Sequence, residues 1–244
     1  MIYAFGKGKE VLSVSSRIEA LASLIPSGEV VADIGTDHAY LPIYLIQTNK
    51  SPRVIATEVS KGSYQKAKKI IMDLGLKNRI DLRFGDGLKV LDPGEAEVLV
   101  LAGIGGLNIV KILKEGIDVA KTAKRLIVNP ATGWGYVRKW LVYNGWDIKD
   151  EELVYEKSKF YHIIATERRT MTFEDYDPVV MEIGPKLIEK KHCLLPLYLE
   201  KLQREYSSIY EELKKSRRQE SSLKLQEVKG FLRKIEKIYN CINK

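Results

Sequence analysis

From residue 16 onward the chain alternates between two hydrophobic rhythms. Ile18, Leu21, Leu24 and Ile25 recur at helical spacing over residues 16–25, and Pro26-Ser27-Gly28 ends that helix. Residues 29–34 then form a short, almost unbroken apolar run of the kind a strand buried on both faces needs. The same alternation predicts a helix over 41–49, a strand over 53–57, a helix over 60–74, a strand over 80–84 and a Gly85-Asp86-Gly87 turn. It continues with a strand over 98–101, a helix through Ile109 and Leu113, a strand over 125–128 and a helix over 136–144. After Gly145 the rhythm changes, and residues 146–156 and 160–167 read as a hairpin turning at Lys157-Ser158-Lys159. Five β–α units closed by a hairpin predict an α/β doubly wound sheet, with its binding edge at the carboxyl ends of the strands.

The last quarter of the chain follows a third rhythm. Leu199, Leu202, Tyr206, Ile209 and Leu213 are spaced three, four, three, four, and Leu225, Val228, Leu232, Ile235 and Ile242 nearly repeat that heptad. Two helices are predicted, separated by the polar stretch 216–222 and folded back as an antiparallel coiled-coil hairpin, with Pro196 suited to the first turn. Residues 170–191 read as a connector with a short helix from Pro185. Charge separates the same parts: residues 186–244 hold 15 Lys and Arg against 8 Asp and Glu, whereas residues 1–185 hold 25 against 24. The net charge of +8 therefore belongs to the tail and points to a polyanionic partner, nucleic acid before membrane, with a merely solvated basic helix pair as the competing reading. No apolar run reaches the roughly 18 residues of a membrane span, and no leader pattern is seen, so a cytoplasmic location is expected. Two distant cysteines and three scattered histidines, His38, His162 and His192, offer neither a disulfide framework nor a metal-ligand pattern. A monomer is expected.

Candidate chemistry gathers at the predicted strand ends. The run Val30-Val-Ala-Asp-Ile-Gly-Thr-Asp-His-Ala-Tyr-Leu-Pro42 is an apolar strand, an acidic glycine turn and a helix start, the arrangement that receives nucleotide-like ligands. Where the usual loop has a second glycine this one has Asp37, followed by His38, so two titratable side chains are expected to face the ligand. Asp33, Glu58 and Asp86 end the first three strands and would serve one ligand, with Asp33 near its amino-acid or sugar end, Glu58 on a ribose and Asp86 on an adenine amino group; helix capping is the competing reading. Gly103-Ile104-Gly105-Gly106 after strand four either lets a flat base approach the backbone or serves tight packing. Asn129-Pro130 ends strand five, its amide suited to holding a base, and Trp134 is either a stacking platform or a core or lid aromatic. His162 and His192 fall on the hairpin and the connector, away from this edge.

The Asp-His-Ala-Tyr-Leu-Pro block, with Gly85-Asp-Gly-Leu88, Leu101-Ala-Gly-Ile-Gly-Gly106, Asn129-Pro130 before Arg138-Lys-Trp-Leu141 and Ser15-Ser-Arg-Ile-Glu19, resembles the TrmK-type bacterial tRNA (adenine-22-N1)-methyltransferase family over nearly the whole chain. The resemblance implies a class I, Rossmann-like methyltransferase domain using S-adenosyl-L-methionine, expected over residues 1–169, and a helical coiled-coil tRNA-binding region over 170–244. It places Asp33, Gly35, Glu58, Asp86, Gly87, Ala102 and Gly103 at the cofactor. Together with the strand-end and tail readings above, Asp37, His38 and Asn129 are expected at the reaction, and Arg17, Tyr40, Gly105, Gly106, Pro130, Trp134, Arg217 and Arg218 on the tRNA side. One departure is Asn129-Pro130-Ala131, where relatives often carry Gln-Pro-Asn. A small-molecule methyltransferase would share the cofactor motifs without needing the basic tail. A non-catalytic RNA-binding protein would bind tRNA but not the cofactor, and an NAD-type oxidoreductase ranks lower because its second loop glycine is missing.

Overall fold

The computed structural model describes residues 12–169, 177–215 and 220–242. Seven strands form one sheet in the order β3-β2-β1-β4-β5-β7-β6. They are β1 (Val31–Ile34), β2 (Val54–Glu58), β3 (Ile80–Phe84), β4 (Val98–Ile104), β5 (Arg125–Pro130), β6 (Trp146–Glu156) and β7 (Lys159–Arg168). The first five run parallel, and β7 enters antiparallel beside β5 with β6 outside it. The predicted hairpin thus closes a doubly wound sheet.

Both sheet faces are covered, which is why the central strands read as apolar runs without alternation. Ala32 and Ile34 of β1, Leu99 and Leu101 of β4, and Leu126 and Val128 of β5 pack on one face. There they meet α4 (Gly106–Glu115), α5 (Ile117–Thr122) and α6 (Trp134–Tyr143). Val31, Val98, Val100 and Ile127 point to the other face, onto α1 (Ser16–Ser23), α2 (Tyr40–Gln47) and α3 (Lys61–Asp73).

Several bounds differ from the sequence expectation. β4 continues to Ile104 instead of ending at Leu101, because Gly103 adopts φ 73° and shifts the β4–β5 register between Ala102 and Ile104. Helix α6 begins at Trp134, two residues early, and the six-residue α5 is too short to show a helical period. In the connector, α7 (Pro178–Ile183) precedes the expected helix at Pro185, α8 (Pro185–Glu189). Asp177 caps α7, its carboxylate accepting from the Val179 amide at 2.8 Å, with Pro178 in the first turn.

The two C-terminal helices, α9 (Leu195–Lys215) and α10 (Glu220–Ile242), pack together. Tyr206 stacks on Phe231 with centroids 4.0 Å apart, and the Tyr239 hydroxyl donates to Glu200 at 3.1 Å. One index rises as the other falls, so the pair is antiparallel. Its base is rooted in a third core, where Leu195, Tyr198, Leu199, Leu202 and Ile235 meet Leu153 and Phe160 of the hairpin and Val179, Ile183 and Leu187 of α7–α8. Further out Ile209 and Leu223 are exposed, so the helices become an arm projecting from that root.

Candidate active site

The strand order brings the predicted site residues to one edge in the sequence Asp86, Glu58, the β1 turn, the glycines after β4 and Asn129-Pro130. Asp33 lies within β1, 5 % exposed, and its Oδ2 accepts from the Thr36 hydroxyl at 2.7 Å. Burial, only partly offset by that bond and reinforced by nearby Glu58, pushes its carboxyl up to about 6. Glu58 braces the turn from β2: its Oε2 accepts from the Asp37 amide at 3.0 Å and its Oε1 from the Ser60 amide at 2.7 Å. Each oxygen keeps a further lone pair for hydroxyl donors.

The turn itself is unusual in its backbone. Gly35 has φ 75°, and two residues that carry side chains, Asp37 at φ 50° and Ala39 at φ 58°, also lie in the left-handed region around His38. Such geometry costs on the order of 1–2 kcal/mol per residue, and the Glu58 bond to the Asp37 amide is one of the contacts that hold it. Asp37 Oδ2 and His38 Nε2 are 3.6 Å apart, neighbours without a direct hydrogen bond. Asp37 is exposed and His38 half-buried, its ring 5.4 Å from that of Tyr40 at the start of α2.

Asp86 is exposed just before the 3-10 turn Gly87–Val90, and Lys89 Nζ contacts it at 2.6 Å while also reaching Glu115 of α4 at 2.6 Å. Gly87 has φ 59° and sits over Ile112. Across the edge, Ala102 is half-buried and Gly103 bulges; a Cβ on Gly103 would lie 3.8 Å from Arg17 Nη1. Arg17 lies over the Tyr161 ring at 5.1 Å, so α1 contributes a cation beside the β4 glycines.

Four residues expected on the substrate side also have packing roles. Gly106 is buried, its amide donates to the Thr132 carbonyl at 2.9 Å, and a Cβ there would come within 2.6 Å of that oxygen, so this glycine serves close packing. Gly105, the residue before α4, lies near Thr132 as well. Pro130 is buried as the last residue of β5, in register with Ile104. Trp134 is half-buried and stacks on His162 at 4.7 Å with an interplanar angle of 19°, so one of its faces is taken. Arg217 and Arg218 lie outside the described residues.

Asn129 is 1 % exposed; its Nδ2 donates to the His162 carbonyl at 2.8 Å, and its Oδ1 has no partner among the described residues. His162 itself was not expected near the site. Beside it lies Arg138, fully buried, whose Nε donates to Glu151 at 2.6 Å and whose Nη1 donates to the Met181 and Glu182 carbonyls at 2.9 and 3.1 Å. The available signal was a lone arginine inside the apolar period of α6. Among the described residues no group of acidic, His or Cys side chains is placed to hold a metal ion.

The TrmK family profile, described as tRNA (adenine(22)-N(1))-methyltransferase, matches residues 31–237, spanning both the sheet edge and the helical arm. The chain belongs to this family. TrmK of Bacillus subtilis (strain 168), the tRNA (adenine(22)-N(1))-methyltransferase, is 35 % identical over 207 residues, covering 83 % of this chain and 86 % of that protein. The crystal structure of the B. subtilis M1A22 tRNA methyltransferase TrmK superposes with a TM-score of 0.84 at 30 % identity over 94 % of this chain and 100 % of that one. The Streptococcus pneumoniae Sp1610 protein, solved in complex with S-adenosyl-L-methionine, gives 0.82 at 29 % identity over 93 % and 100 %. This TrmK family member is an S-adenosylmethionine-dependent tRNA methyltransferase whose family modifies N1 of adenine 22. Its residues fit that cofactor: a desolvated carboxylate at Asp33 favours a cationic neighbour, and Glu58 and Asp86 offer acceptors to hydroxyl and amino groups.

Proposed function

We propose that Asp33, Gly35, Glu58, Asp86, Gly87, Ala102 and Gly103 hold the cofactor, and that Asp37, His38 and Asn129 frame the adenine of a tRNA gripped by Arg17, Tyr40 and the basic arm. Bound S-adenosylmethionine supplies an electrophilic methyl on a sulfonium centre. The protein's own work is then alignment: N1 carries a lone pair, and holding it about 3 Å from that methyl and away from water removes most of the barrier. The buried Oδ1 of Asn129 carries this reading, because a buried acceptor with no donor among the described residues is suited to the exocyclic N–H of adenine. Alkylation makes the ring cationic, and the Asp37 carboxylate, with His38 beside it, offers a counter-charge or an acceptor for the exocyclic amine proton.

Adenine inside a folded tRNA must leave its stack to reach this edge. The arm offers cations to the surrounding backbone: α10 carries Lys224, Lys229, Arg233, Lys234 and Lys237 against Glu220, Glu227 and Glu236, while on α9 Lys201, Arg204, Lys214 and Lys215 are balanced by four glutamates. A monomer and a cytoplasmic setting accord with this reading, and no helix among the described residues is long and apolar enough to cross a membrane. The test is nucleoside mass spectrometry of tRNA incubated with the protein and methyl-labelled cofactor. Labelled 1-methyladenosine at position 22 is expected, and its absence overturns the reading. Full activity in Asp37→Ala with intact cofactor binding removes Asp37 from the reaction.

A further inference from the structure

His162 sits where four elements meet, although nothing in its sequence context marks it. It lies fully buried on β7. Its Nδ1 faces Arg138 Nη2 at 2.9 Å. A guanidinium only donates, so Nδ1 must be the acceptor, and the neutral ring carries its hydrogen on Nε2. Burial first, and then the charge of Arg138, hold its basicity well below that of an ordinary histidine, so the ring stays neutral.

Two aromatic rings enclose it. Trp134, the first residue of α6, stacks at 4.7 Å, and Tyr198, in the first turn of α9, meets it edge-to-face at 4.7 Å. Its main-chain carbonyl holds Asn129. The Arg138 partner is in turn locked to β6 through Glu151 and to α7 through the Met181 and Glu182 carbonyls, and Glu151 Oε2 accepts the Lys186 amide of α8 at 2.8 Å. The imidazole therefore touches Tyr198 at the root of the arm on one side and Trp134 on the other, while the main chain of the same residue holds Asn129.

We propose that His162 is a positioning residue for methyl transfer: pinned by Arg138 and seated against the root of the arm, its ring fixes Trp134, and with it the loop between β5 and α6 that follows Asn129, in the orientation that aligns the adenine. This rests on the reading that Asn129 faces the adenine and the arm holds the tRNA. A ring that orients the loop without touching either ligand acts on turnover and leaves affinity alone.

The experiment compares His162→Asn, Trp134→Leu and their double variant with wild type. His162→Asn keeps an oxygen acceptor near Arg138 but removes the ring beneath Trp134; Trp134→Leu removes the other half of the stack at a half-buried position. Each single variant is expected to lower kcat at saturating tRNA by about tenfold or more, with KM for tRNA and Kd for S-adenosylmethionine within about threefold of wild type. The double variant is expected to be no slower than the slower single one, because both remove the same constraint. Trp134→Phe, which keeps a stacked ring, is expected to retain kcat within about threefold. Multiplying kcat losses, a rise in KM with kcat intact, or loss of folded protein without loss of kcat per folded molecule would each overturn the proposal. If His162→Asn does not fold, Trp134→Leu against Trp134→Phe decides. Wild-type protein that makes no 1-methyladenosine strikes the functional reading itself, whereas active wild type with unaffected variants strikes only this inference.

Discussion

Replacing Asp33 with Asn tests whether the cofactor edge is built at the expense of stability. The carboxyl is raised from the usual 3.8 to about 6, by burial first and with Glu58 adding to it. At roughly 1.36 kcal/mol per pH unit, ionising it in the folded state costs about 3 kcal/mol as an upper bound. The sign follows from proton binding: between pH 4 and 6 the folded protein holds this proton more tightly than the unfolded chain, so stability falls as pH rises through that window. Below pH 4 both states are protonated and the cost disappears. Asn keeps an oxygen for the Thr36 hydroxyl but adds an amide that wants a partner, which removes about 1 kcal/mol of the gain. Urea titrations at pH 4, 6 and 7.5 should therefore show Asp33→Asn more stable than wild type by about 1–2 kcal/mol at pH 7.5, with no gain at pH 4. Calorimetry should show the opposite for function, with S-adenosylmethionine bound at least about tenfold more weakly at pH 7.5, since a cationic ligand favours the carboxylate. A variant no more stable than wild type at pH 7.5, or a gain equal at all three pH values, refutes the reasoning.

Three further outcomes follow from particular contacts. Gly106→Ala forces a methyl to within 2.6 Å of the Thr132 carbonyl and 2.9 Å of Val137, and should cost about 1–3 kcal/mol in urea denaturation; an unchanged midpoint refutes it. Arg138→Met leaves the Glu151 carboxylate buried without its guanidinium, and should cost about 3–5 kcal/mol, partly recovered by adding Glu151→Gln; a loss under about 1 kcal/mol refutes it. Reversing Lys214 and Lys215 to Glu, both exposed on α9, should weaken tRNA binding and flatten the slope of log K against log salt by about 0.7–0.9 for each phosphate no longer neutralised, with cofactor affinity unchanged; an unaltered slope removes these residues from the tRNA surface.

The parallel strands, the hairpin and the arm were legible because each carries its own hydrophobic period, and the strand-end acids were legible because a parallel sheet places such ends side by side. Long-range packing was not legible. Gly106 looks like a ligand-facing glycine in GIGG, and only the approach of the Thr132 carbonyl shows why a side chain is excluded there. The bulge that carries β4 on to Ile104 depends on the left-handed backbone of Gly103, which no hydrophobic period records. His162 read as a strand residue remote from the site. Its place emerges only when β7 lies antiparallel to β5 and α9 folds back over the hairpin.

Three local costs meet on the proposed substrate edge. Asp33 is a carboxylate largely removed from water, Asp37 and Ala39 hold left-handed backbone without being glycine, and Asn129 keeps a buried acceptor with no donor among the described residues. Each would be relieved by an ordinary substitution, so folding alone does not require them. In the proposed site each also has a complement: a cationic cofactor for Asp33, an adenine N–H for Asn129, and for the strained turn the need to hold Asp37 and His38 forward. The strain is braced from the sheet by Glu58, and the loop at Asn129 is braced from the arm side by the Arg138–His162 block. Rigid support behind groups left unsatisfied in front is what pre-organisation requires, because the donors and acceptors are then oriented before the tRNA arrives and the alignment is not bought again at each turnover.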